Sequence, residues 1–208
     1  MQSFETPLLF TPTEAAVVTG LPIKTVNNAI DKKTVATVSE AGRAGGSSRL
    51  LDLQALLSLT LERRLANRLV PETRRELFAA LAQTRRNAVS LDGGFLKVDL
   101  KEPRRELAAS LRRLRRARQL VIADPEIMGG DPVFRGTRIP VHMIADILAQ
   151  GESEQDILAS YPRLTAETVR LAPIYAAAYP LRGRPRKQPW HDRPPVSETR
   201  RKLATIEA

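Results

Sequence analysis

Apolar positions recur along this chain at two spacings, and the places where the spacing changes mark its elements. In FTPTEAAVVTG, Thr11 is a good helix N-cap, Pro12 suits the first turn, and Glu14 can close a capping box onto Thr11. Ala15, Ala16 and Val18 supply a short buried face, and Gly20 provides the left-handed residue a tight turn needs. The run PIKTVNNAIDKK predicts a second helix, opened by Pro22, with Ile23, Val26 and Ile30 on one face. Two short helices joined by such a turn read as a helix-turn-helix. The runs TVATV and SRLLD around a Gly-rich loop then predict a hairpin wing.

Further along, Leu53, Leu57, Leu61 and Leu65 fall four apart, widened by Leu56 and Leu69, and predict a helix with one buried face, a candidate self-association face. Pro71 restarts a helix with Leu77, Phe78 and Leu81 inward. Val89, Leu91, Phe95, Leu96 and Val98 alternate around Asp92-Gly93-Gly94, which predicts a hairpin. A long helix follows, with Pro103 near its start and Leu107, Leu111 and Leu114 as its apolar stripe. Beyond the Gly/Pro run GGDPVFRGTRIPV, Ser153 with Asp156 and then Thr165 cap two more helices, the second interrupted at Pro173.

Composition narrows the partners. The chain has 208 residues, 42% apolar but only 4% aromatic, so its core is built of aliphatic side chains. Its formal charge of +10 points to a polyanion, with nucleic acid first and an acidic protein or anionic membrane surface as alternatives. With no Cys, disulfides and thiolate chemistry are excluded. The N-terminus lacks the pattern of a secretory signal, and no apolar run is long enough for a bilayer. These features predict a soluble cytoplasmic protein without membrane contact, associated with the nucleoid when bound to DNA.

On the second helix, Lys24, Thr25, Asn27 and Asn28 are the residues that can face outward. Asn can bond an adenine edge bidentately and Lys can reach guanine or phosphate. Lys32, Lys33, Arg43 and Arg49 suit phosphates. Five of the seven residues from Arg112 to Arg118 are Arg, which reads as a solvated face that can also rest on DNA backbone. The helix starting at Thr165 offers only Arg170, too little for reading bases, so that second hairpin is expected to pack on protein.

GGDPVFRGTRIPV invites a catalytic reading that its details oppose. No Gly-Lys-Ser/Thr follows, two prolines remove amide donors, and the dinucleotide spacing is absent. His142 and His191 are the chain's two histidines, and the nearby acids Asp124, Glu126 and Asp131 have no ligand partner at helical spacing. No enzyme activity, metal or cofactor is expected. Instead Val133-Phe134 and Arg138-Ile139 predict a small hairpin folded over Gly136-Thr137, with Gly129, Gly130 and Gly136 at positive φ. Its exposed edge could pair with a second copy, with Val133, Phe134, Arg135, Thr137 and Arg138 at a homodimer seam.

Two resemblances extend this reading. The helix-turn-helix, wing and following Leu-rich helix resemble the winged helix-turn-helix of MerR-like regulators over about the first 65 residues, which implies a second helix in the major groove and a wing on the backbone. DPEIMGGDPVFRGTRIPV, followed by Gly151, Tyr161-Pro162 and Leu164-Thr165, resembles the domain of unknown function 433 over about residues 121 to 180. That resemblance implies a trihelical, helix-turn-helix-like unit of the kind found in VapB-like antitoxins beside PIN-nuclease toxins.

Residues 181–208 carry four of the 15 prolines and eight Lys/Arg against three acids. RGRPRK resembles an AT-hook, the whole can be a solvated tail, or Arg182, Arg184, Arg186, Lys187 and Trp190 can fill the acidic pocket of a toxin. The expected fold class is mainly α with short β-hairpins: a winged helix-turn-helix at 1–65, a connecting region at 66–120, a trihelical domain at 121–180 and a basic tail. The expected function is a type II antitoxin that binds its operator DNA as a homodimer and neutralises a cognate PIN-type toxin. The alternative is a MerR-like regulator responding to a small ligand.

Overall fold

The computed structural model describes residues 8–41, 47–65, 68–84 and 86–181. Among them are eight α-helices and three two-stranded antiparallel pairs. The N-terminal half runs α1 (Pro12–Thr19), α2 (Ile23–Asp31), β1 (Val38–Ala41), β2 (Ser47–Leu50), α3 (Leu53–Leu65) and α4 (Pro71–Gln83). Then come β3 (Ala88–Leu91), β4 (Leu96–Asp99), the long α5 (Lys101–Gln119), β5 (Val121–Ile122) and β6 (Val133–Phe134). Three helices close the described chain: α6 (Val141–Ala149), α7 (Glu154–Ser160) and α8 (Ala166–Ala178). No helix among the described residues is long and apolar enough to cross a membrane.

Local chemistry explains most boundaries. Thr11 and Glu14 form the expected capping box on α1, and Gly20 ends the helix at φ 68°. A Cβ on Gly20 would meet the Arg63 side chain only at 3.8 Å, so the turn needs glycine for its dihedral and not for space. Ser153 and Thr165 cap α7 and α8 as their sequences require. Gly129, Gly130 and Gly136 all take positive φ.

Two apolar cores form. The larger gathers Phe10, Val18, Val26, Ile30 and Leu56, Leu57, Leu59 and Leu61 of α3 with Leu77, Leu81, Leu91, Leu107 and Leu114. The stretch 66–120 therefore contributes to the same core as the first two helices. The smaller core holds Val121, Phe134, Val141, Ile144, Ile157, Leu164 and Val169. Helix α8 serves both: Val169 and Ala172 lie in the smaller core and Ala178 in the larger.

Several expectations from the sequence are corrected. Ile23 is 41% exposed because it sits in the first turn of α2, beyond the reach of α1. In α3 the stripe of every fourth leucine is too narrow: everything from Ala55 to Leu61 is buried, and Leu53 is 43% exposed. Helices α1, α4 and α5 all pack on α3, so it has hardly any solvent face and offers no free self-association stripe. Phe95 does not point inward but projects from the β3–β4 turn, 95% exposed, because residues 92 to 94 reverse the chain through left-handed backbone (φ 50°, 61° and 102°), which spoils the alternation. Helix α8 runs through Pro173 uninterrupted, giving up one backbone bond.

The partner of Val133-Phe134 is also corrected. β6 pairs antiparallel with Val121-Ile122 and not with Arg138-Ile139. The segment after it does fold back, through the Phe134 N–H to the Ile139 carbonyl at 3.0 Å and a bridge between Val133 and Pro140. The geometry of a tight turn is thus present, but its strand edge is spent on β5.

Candidate nucleic-acid interface

Helix α2, the turn after it and the β1–β2 pair carry the N-terminal candidate residues other than Arg43. Val26 and Ile30 are fully and almost fully buried and anchor α2 on the larger core. Lys24 and Asn28 then point outward, with Thr25 and Asn27 half-buried beside them. Pro22 precedes the helix with no side-chain cap. Lys24, Lys32 and Lys33 have no ion-pair partner among the described residues.

The far end of α2 has an unusual cap. Lys33 adopts φ 55°, its N–H bonds the Ile30 carbonyl at 3.0 Å, and the Thr34 N–H bonds the Ala29 carbonyl at 2.9 Å. This is the Schellman pattern, in which glycine ordinarily holds the left-handed position. A lysine there projects its charge off the end of the helix at a backbone cost of about 1–2 kcal/mol.

The hairpin follows in register Val38↔Leu50, Ser39↔Arg49, Glu40↔Ser48 and Ala41↔Ser47. Phe10 and Leu51 exchange two backbone hydrogen bonds at 2.8–2.9 Å, tying the hairpin's base to the segment entering α1. Arg49 pairs with Asp31 at 2.5 Å, both exposed, so hairpin and α2 are also linked by charge. That pairing uses a cation expected to be free for phosphate. Arg43 lies outside the described residues, as do Arg182, Arg184, Arg186, Lys187 and Trp190.

The basic face of α5 divides in two. Arg112, Arg113 and Arg115 are exposed with no ion-pair partner among the described residues. Arg116 instead grips Glu167 with two hydrogen bonds of 2.7 Å, which hold the Glu167 carboxyl below its ordinary range. Arg170, the one cation of α8, is likewise engaged with Glu154 at 2.8 and 2.9 Å. Among the described residues, neither α7 nor α8 therefore presents an unpaired cation for reading bases.

The candidate seam residues are mostly consumed within the chain. Val133 and Phe134 are 0% and 2% exposed, Phe134 within the smaller core, which removes them as contact surface for a second copy. Arg135 is exposed but donates Nε to the Gln119 carbonyl at 3.2 Å and Nη2 to that of Val121 at 3.4 Å, pinning the turn to the end of α5. Thr137 accepts from the Ile139 N–H at 3.0 Å and donates to the Phe134 carbonyl at 2.8 Å. Of the five, Arg138 is exposed with no ion-pair partner among the described residues.

One cluster has no signal in the sequence. Glu14 is 5% exposed; its Oε2 accepts from the Thr11 N–H at 2.8 Å and its Oε1 from the Tyr179 hydroxyl. Arg118 sits 3.8 Å from Glu14 and lies 5.9 Å over the Tyr179 ring, and His142 Nε2 meets the Tyr179 carbonyl at 2.9 Å. Burial, and then the Glu14 carboxylate, push the Tyr179 phenol well above its usual range. The cap of α1 is thus joined to the end of α8 across 165 residues. No group of three or more His, Asp or Glu suited to a metal occurs among the described residues.

Comparison with known proteins places these features in a family context. Residues 121–176 match the model of a protein family of unknown function, DUF433. The chain is 38% identical over 182 residues to the uncharacterized protein y4eO of Sinorhizobium fredii, covering 83% of this chain and 82% of that one. The crystal structure of Rv2018 from Mycobacterium tuberculosis aligns over 82% of this chain and 99% of its own, with 18% identity and a TM-score of 0.29, too low to support a shared fold.

Proposed function

Since the chain belongs to the family of the rhizobial protein y4eO and carries a DUF433 domain at residues 121–176, we propose that it is a DNA-binding antitoxin acting through two separate parts. The N-terminal part, α1 to α3 with the β1–β2 hairpin, is a winged helix-turn-helix that reads an operator. The observation that carries this is the outward face of α2, where Lys24 and Asn28 stand free beside half-buried Asn27, ending in the left-handed Lys33. Donors of these types on a short helix fit base edges in the major groove, and the lysines beyond fit phosphates. Arg112, Arg113 and Arg115 add charge that needs no sequence. The neutralising part is the basic segment after Pro180, whose arginines suit the acidic metal pocket of a PIN-type ribonuclease.

Fluorescence anisotropy with the DNA upstream of the chain's own gene tests the first part. Lys24→Ala and Asn28→Ala each cost about 1–3 kcal/mol on that site and much less on unrelated DNA. Equal losses on both DNAs would mean that α2 does not read bases. Co-expression with a neighbouring PIN-type nuclease tests the second part: the full chain restores growth, and a chain ending at Pro180 binds DNA but does not.

A further inference from the structure

We infer that the groove between α2, α3 and α4 is a binding site for a small amphipathic anion, a molecule with an apolar body and one carboxylate or phosphate. The groove has a volume of about 870 Å³, within the range of small-molecule sites. Its apolar lining comes from Ala29 on α2, Leu59 on α3 and Phe78 on α4. Such a surface needs an occupant with an apolar body if it is to be covered.

The charge of the groove selects the anion. Lys32 and Lys33 line it without ion-pair partners among the described residues, and Arg74 and Arg75 line it from α4. The two acids in its wall are already engaged. Asp52 accepts from the Ala55 N–H at 2.8 Å at the start of α3, and Glu62 accepts from Arg74 Nη1 at 2.9 Å. Arg74 keeps donor capacity after that contact: its Nε is shielded from solvent and has no acceptor among the described residues. A shielded donor without an acceptor is uncommon in a finished protein interior. An incoming carboxylate or phosphate supplies acceptor oxygens at the groove's cationic wall, while a cation would meet Lys32 and Lys33 unopposed. Arg75 is held only weakly by Glu72 at 3.4 Å, with both side chains exposed, and can join an anion at the mouth.

Binding is read without DNA, so the outcome is independent of the operator reading. The fluorophore 1-anilinonaphthalene-8-sulfonate is titrated into the full chain and displaced with decanoate, decyl phosphate, decanol or decyltrimethylammonium. The two anions displace it at concentrations at least about tenfold below those of the alcohol or the cation. Whichever of decanoate and decyl phosphate acts lower identifies the head group. Arg74→Gln weakens anion binding about tenfold. Ala79→Trp, which fills the groove from an exposed position on α4, abolishes it while leaving the melting temperature intact. Arg163→Gln, exposed in the α7–α8 turn and away from the groove, changes nothing. Displacement by decanol or the cation as well as by the anions, or unchanged affinity in the Ala79→Trp chain, overturns the assignment.

Discussion

At the scale of single residues, Lys33 sets backbone cost against charge most directly. It occupies the left-handed position of a Schellman cap, where a side chain strains the backbone and glycine does not. Lys33→Gly therefore raises unfolding free energy by about 1 kcal/mol, measured by urea denaturation. In the proposed role the same change removes one phosphate contact, so affinity for DNA falls and the slope of its logarithm against salt concentration drops by about 1. A more stable chain with undiminished DNA binding would leave the lysine without a purpose at that position. Gly20, Gly129 and Gly136 were legible in the sequence because glycine names its own dihedral. Lys33 was not, since lysine gives no hint of a left-handed residue.

Among elements, α3 shows where pattern reading stops. Leucines four apart predict a helix and give the helix correctly, but the stripe cannot reveal that three other helices cover the remaining faces. Leu59, off the predicted stripe, is 1% exposed, whereas Leu53, on it, is 43% exposed. Even Thr60 is buried, its hydroxyl satisfied by the Leu56 carbonyl at 2.9 Å. Leu59→Ala is expected to cost about 2–5 kcal/mol because it opens a cavity in a packed core. Leu53→Ala costs under about 1 kcal/mol, since exposed substitutions have little effect. Equilibrium unfolding of the two variants side by side decides it, and equal losses would contradict the central position of α3. The β5–β6 pair was misread for a related reason: two-residue strands carry too little pattern to choose among partners, and the choice fell to Val121 at the end of α5.

Across the whole molecule, the two cores are joined by α8, whose end is fixed on α1 by the contact of Tyr179 with Glu14, 165 residues away. No local pattern signals such a contact, because each residue has an adequate local explanation: Glu14 as a cap and Tyr179 as a helix-end aromatic. Its energetic trace is in the alkaline range. Burial and the Glu14 carboxylate raise the Tyr179 phenol above its ordinary value of 10.0, with Arg118 opposing them and Tyr175 adding to them. A group whose folded-state value is raised contributes stability that is fully present below about pH 10 and is lost as pH rises beyond it. Tyr179→Phe removes the titrating hydroxyl and leaves the ring under Arg118. Its melting temperature is lower than the parent's at pH 8, because the buried Glu14 oxygen loses a donor. The difference shrinks as pH is raised above 10, where the unfolded parent gains stability by ionising its phenol while the folded one holds the proton. His142 meets the Tyr179 carbonyl and not its hydroxyl, so His142→Ala leaves that alkaline slope unchanged. A constant offset between parent and Tyr179→Phe across the whole range would mean that the hydroxyl and Glu14 do not fix the end of α8 on α1.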